Sequence, residues 1–134
     1  LAIDSKDFIL KKNQFQPSSG STNRFISKSK TMSTISEIFS ALETASHPVA
    51  RALHKGDQFK VLMIGFKKGM ILQDHKAHIP SKLTVLEGNV VYREGGKEIH
   101  LPQYEEVGIP VEVTHSVEAL EDSLCLLTQG GFSG

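Results

Sequence analysis

Among the 134 residues there is one cysteine, no tryptophan and only two tyrosines. A lone Cys125 excludes an internal disulfide and any zinc site built from several thiolates. It fits a reducing compartment, so the expected location is the cytoplasm. With six histidines and one cysteine, a metal site here has to be built from imidazole and carboxylate. No apolar run approaches the ~20 residues of a membrane span. The first residues lack the charged-then-apolar order of a secretory leader, since Asp4 and Asp7 interrupt them. Few aromatic rings leave few platforms for stacking bases. No Ser-His-Asp signature, phosphate loop or dinucleotide fingerprint is present.

Net charge is also missing: 15 basic residues balance 15 acidic ones. The balance is uneven along the chain. Residues 1–31 hold six Lys/Arg against two acids, a net of +4, and residues 32–134 hold nine against thirteen, a net of −4. An acidic globular part argues against a nucleic-acid surface, which needs a basic face.

What is present divides into two parts. Residues 11–34 are rich in Ser, Thr, Asn, Gln and Lys, with Phe15, Phe25 and Ile26 as isolated apolar residues. Such a stretch cannot bury enough apolar surface to offset its ordering entropy. Residues 1–33 therefore read as a flexible polar arm, with Met32 as a candidate natural start, and residues 34–134 as one folded domain. That domain opens with a helix. Thr34 and Glu37 have capping-box spacing, Ile35, Ile38, Phe39 and Leu42 form one apolar stripe, and His47-Pro48 follows as a stop.

From Phe59 onward the period is two. FKVLMIGF (59–66) is apolar on both faces, with Phe59, Val61 and Met63 on one side and Leu62, Ile64 and Phe66 on the other. A strand of this kind lies between two layers or under another subunit, and it motivates the expectation of a homodimer. Short strands follow at 70–73, 82–87, 90–93, 97–101, 105–109, 111–115 and 123–128. Glu94-Gly95-Gly96-Lys97 reads as a hairpin turn and Glu87-Gly88-Asn89 as a second turn. Many short strands at regular spacing indicate a sandwich or barrel.

Three stretches carry a resemblance. They are Gly69-Met-Ile-Leu-Gln-Asp-His75, Val85-Leu86-Glu87-Gly88, and Ile109-Pro110-Val-Glu-Val-Thr-His115. Together they resemble the two motifs of the cupin superfamily. The first motif runs Gly, five residues, His-x-His, three or four residues, Glu, six residues, Gly. The second runs Gly, five residues, Pro-x-Gly, two residues, His, three residues, Asn. Gly69, His75, Gly88, Pro110 and His115 match. Ala77 stands at the second His, Ser81 at the Glu, Tyr104 and Glu112 at the two second-motif glycines, and Ala119 at the Asn. The resemblance spans residues 59–129 and implies an all-β double-stranded β-helix, a jelly-roll barrel with a short N-terminal helix and a pocket between its sheets.

Two of the family's four usual metal ligands are thus replaced. His75 and His115 remain as ligands for a divalent metal (Zn, Fe, Ni or Mn), and His78 is the candidate substitute for a third. Met63, Met70 and Gln73 are the candidate pocket-lining residues. His54 reads as a loop residue, His47 as a helix-end residue, and His100 as solvent-facing. Cys125, between Leu124 and Leu126, reads as a buried structural thiol. Three functions stay open: a module binding a small molecule with or without a weakly held metal, a metal-dependent enzyme of dioxygenase or isomerase type using His75 and His115, and a structural domain with a vestigial pocket.

Overall fold

The computed structural model describes residues 33–130. The arm expected over 1–33 lies outside the described residues apart from Ser33. Helix α1 spans Thr34–Leu42. Its N-cap is Ser33, whose hydroxyl accepts the Ser36 N–H at 3.0 Å. The expected Thr34–Glu37 box therefore shifts by one residue: Thr34 is the first helical residue and Glu37 lies in the acidic first turn. Ile38 and Leu42 are buried, while Phe39 keeps 47% exposure on the flank of the stripe. The helix ends at Leu42, so His47 stands five residues beyond it, and its Nδ1 meets the Pro48 carbonyl at 3.1 Å.

Among the described residues nine strands follow: β1 Val49–Lys55, β2 Phe59–Phe66, β3 Ile71–His75, β4 Ser81–Glu87, β5 Asn89–Glu94, β6 Lys97–Pro102, β7 Glu106–Ile109, β8 His115–Ala119 and β9 Ser123–Gly130. They form two antiparallel sheets, one ordered β1-β2-β9-β4-β7 and the other β3-β8-β5-β6. Among the described residues this is the expected all-β barrel of two sheets with one short helix. Alternation decides the interior. Leu62, Ile64 and Phe66 of β2, Leu83 and Val85 of β4, Val90 and Tyr92 of β5, Val117 and Ala119 of β8, and Cys125 and Leu127 of β9 form one buried cluster between the sheets. Cys125 is buried as expected.

The second apolar face of β2 has a local explanation. Met63 joins Ile38, Leu42, Val49 and Leu124 in a separate cluster beneath α1. The helix of the same chain covers this face, and the approach is close: a Cβ on Gly65 would run into Ile38 and Leu42. The apolar run therefore reflects two layers within one chain and no longer requires a second copy. Among the described residues no helix is long and apolar enough to cross a membrane.

Two elements differ from the sequence reading. Val49–Lys55, rich in helix-forming Ala, Arg, Leu and Lys, is an edge strand held by pairing with β2, with a bulge between Ala52 and His54. His54 is thus a strand residue, its ring 5.3 Å from that of Phe59. The strand expected at 111–115 is a turn instead. Glu112 has φ +59 and donates its N–H to the Ala77 carbonyl at 2.8 Å, and β8 starts only at His115. The Gly95-Gly96 hairpin forms as read, with φ +52 and +80.

Candidate functional site

The second-motif glycine positions keep the backbone shape that glycine serves, without the glycines. Tyr104 has φ +75 and Glu112 φ +59, the two non-glycine residues with positive φ among those described. The Glu112 turn places Val113 and Thr114 so that β8 begins on His115. That imidazole is 2% exposed. Its Nδ1 lies 3.1 Å from the Val113 carbonyl. A carbonyl only accepts, so in this contact Nδ1 is the donor. The ring sits 5.6 Å from that of Tyr92, tilted by 31°.

Register brings in the other members. His115 is opposite His75 of β3 on one side and opposite Glu94 of β5 on the other. A shift between Leu72 and His75 sets the first pairing, because three residues of β3 oppose two of β8. Tyr92, fully buried, donates its hydroxyl to Glu94 Oε1 at 2.6 Å. Burial, this hydrogen bond and the charge of Glu94 hold the phenol well above its usual range. The Glu94 side chain is 16% exposed, and Lys97 Nζ lies 3.9 Å from its second oxygen. A cleft of about 360 Å³ opens here, with Glu94, Lys97, Thr114, His115 and Ser116 along its wall.

Tyr92 and Glu94 were not singled out in the sequence, although a signal exists. In β5 the period of two puts Val90, Tyr92 and Glu94 on one face, so an acid follows two inward residues just before the Gly-Gly turn.

The other expected site residues fall elsewhere. His78 is 76% exposed and donates from Nδ1 to Glu112 Oε2 at 2.8 Å, on the outside of the two loops. That hydrogen bond holds the Glu112 carboxyl below the usual carboxylate range. Met63 lies beneath α1, away from the barrel interior. Met70 is half-buried where the two apolar clusters meet, and its sulfur accepts the Lys67 N–H at 3.2 Å. Gln73 is exposed on β3, and His100 is exposed as read.

The donor set can be tested against the family's metal. Ala77 is 2% exposed and offers the barrel a methyl group. The Ser81 hydroxyl donates to the Ile79 carbonyl at 2.9 Å and accepts from Gln129 Nε2 at 3.2 Å. Among the described residues no three His, Cys, Asp or Glu side chains gather as a metal site. The family's four-ligand set does not fit the residues at these positions.

No protein-family model matches the chain, and no curated protein does. Solved structures do. An RmlC-like cupin from Desulfovibrio desulfuricans is 26% identical, with a TM-score of 0.58 over 63% of this chain and 82% of that one. A cupin 2 conserved barrel domain protein from Leptotrichia buccalis is 27% identical, with a TM-score of 0.60 over 66% of this chain and 43% of its own length. An RmlC-like cupin from Shewanella frigidimarina reaches a TM-score of 0.61 at 17% identity, over 65% and 78% of the two chains. Together with the two-sheet barrel and the positive-φ motif positions, these likenesses identify the chain as a small barrel domain of the cupin-superfamily fold.

Proposed function

We propose that the barrel binds a small polar molecule in the cleft beside the β5–β6 hairpin, with His115 and Glu94 as its principal polar contacts. The observation that supports this is the grouping of a buried imidazole, a buried phenol and a largely buried carboxylate at the edge of an otherwise apolar interior. Burying such groups is unfavourable unless they are hydrogen-bonded. A concave site with a few convergent polar groups is the usual form of a small-molecule pocket. Tyr92 has a positioning role in this reading: its hydroxyl engages one Glu94 oxygen and fixes the carboxylate's orientation toward the cleft.

The experiment is a titration of the protein, followed by amide NMR, with a panel of small sugars, polyols, amines and organic acids. The expected hit moves the amides of Gly95, Thr114 and Ser116 together and loses at least about tenfold in affinity in both Glu94→Gln and His115→Gln, the size of one lost buried hydrogen bond. Hits that map elsewhere, or that bind both variants like wild type, overturn the proposal. Metal content by elemental mass spectrometry, beside a His75→Ala/His115→Ala variant, separates it from the enzyme reading. Near-stoichiometric metal that disappears in the variant would replace binding alone with metal-dependent chemistry.

A further inference from the structure

Arg51 is the one buried Lys, Arg, Asp or Glu among the described residues, at 9% exposure. It stands on β1, an edge strand of the five-stranded sheet, just before the bulge. Val49, two residues earlier on the same face, and Met63, its register partner, both belong to the apolar cluster beneath α1. A guanidinium carries five N–H donors and keeps its charge at every ordinary pH. Here Nη1 donates to the carbonyl of the adjacent Ala50 at 2.9 Å, and Nε is buried with no hydrogen-bond partner among the described residues. No carboxylate among the described residues pairs with it. The contrast is Arg93, which is more exposed and still holds two acids, Glu98 at 2.7 Å and Glu118 at 2.9 Å. A charge taken out of water beside an apolar layer is strongly disfavoured unless a counter-ion meets it.

We propose that Arg51 anchors a carboxylate-binding site at the β1 edge of the sheet. A carboxylate matches two parallel guanidinium donors, and the Nε side of the fork is the side that no internal bond uses. The edge position makes the approach feasible. Among the described residues no strand neighbours β1 on its outer side, and the Ala50 carbonyl bond is a side-chain contact, so the guanidinium can swing off it without breaking the β1–β2 ladder. The carboxylate has two available sources, a free small organic acid or an acidic side chain of a second copy of this chain. This site lies on the helix-covered sheet and shares no residue with the His115–Glu94 cleft.

The test is thermal unfolding of the full chain in chloride and in acetate or succinate at matched ionic strength, over a tenfold range of protein concentration, beside Arg51→Met. A free carboxylate at ten times its dissociation constant should raise the wild-type midpoint by about 4 °C or more and leave Arg51→Met unmoved. If a second copy supplies the acid, the wild-type midpoint rises with protein concentration instead, and Arg51→Met again removes the dependence. Either result supports the site and names its source. A wild-type midpoint indifferent to both, or an Arg51→Met variant that responds as wild type does, overturns it. Should Arg51→Met fail to fold, the Arg51 Nε–H resonance of the wild-type protein decides: it should move downfield on adding acetate or on raising protein concentration, and its immobility under both refutes the proposal.

Discussion

Replacing Tyr104 by glycine should make the protein more stable, although it deletes a large side chain. Tyr104 has φ +75, its side chain is 75% exposed, and its backbone is pinned in the turn. Its N–H donates to the Val85 carbonyl at 2.6 Å, and the next carbonyl, that of Glu105, accepts the Val85 N–H at 2.9 Å. The conformation is therefore imposed by β4 and not chosen by the tyrosine. An L-residue in the left-handed region is disfavoured by about 1–2 kcal/mol. Glycine removes that penalty but gives the unfolded chain more freedom, which takes back roughly 0.5–1 kcal/mol. The exposed ring contributes little burial to lose. The net expectation is a gain of about 0.5–1 kcal/mol, or about 2–8 °C in Tm for a domain of this size. Tyr104→Ala is the control, because it keeps the Cβ and the strain and so should gain nothing. Urea unfolding of the three proteins, compared by midpoint at constant slope, measures this directly. If Tyr104→Gly is no more stable than Tyr104→Ala, the turn is not strained and the argument fails.

Three further outcomes follow from the packing and the charges. Gly65→Ala should destabilise by about 1–3 kcal/mol, because the new methyl meets Ile38 and Leu42 and forces α1 off the sheet; a denaturation midpoint at or above wild type would contradict the helix-on-strand contact. Burial pushes the Cys125 thiol up to about 12, so it should resist a thiol reagent at pH 8 in the native state and react fully in denaturant. Fast native labelling would place Cys125 outside the core. Hydrogen bonding to His78 lowers the Glu112 pKa, so the contribution of the pair is present above the usual carboxylate range and is lost as pH falls through the lowered value. Wild type and Glu112→Gln should therefore differ in Tm at pH 5–6 and converge near pH 2, and a difference that persists in acid would assign the effect to packing.

The parts of the fold governed by local chemistry were readable. The Gly95-Gly96 turn, the inward set Leu62, Ile64 and Phe66, and the burial of Cys125 all follow from period two and from turn preference. The parts governed by tertiary pairing were not. In β1 the residues between Val49 and Lys55 favour a helix, and only the ladder to β2 makes them a strand. The outer face of β2 could not be assigned either, because a helix and a second subunit demand the same apolar residues. At the site, His115 was legible as a motif residue and Glu94 was not. Glu94 matters through its register with His115 and its bond to Tyr92, neither of which is expressed in local sequence.

The motif positions separate two requirements that a sequence pattern merges. Positions 69, 88, 104 and 112 serve the backbone, and all four have positive φ, two of them with glycine and two with side chains that bear the strain. Positions 75, 77, 81 and 115 serve side-chain chemistry, and of these Ala77 has joined the core and Ser81 is tied to Ile79 and Gln129. The backbone demand is met at every position, because each turn aims a strand and a turn that failed would misplace the whole barrel. The chemical demand can be released one residue at a time, since a buried alanine or a satisfied serine leaves the sheets in place. Degeneracy in such a motif therefore has opposite meanings at its two kinds of position. A lost glycine marks stored strain in an unchanged fold. A lost ligand marks a changed interior, and here the carboxylate nearest the surviving buried histidine in strand register comes from β5, outside the motif altogether.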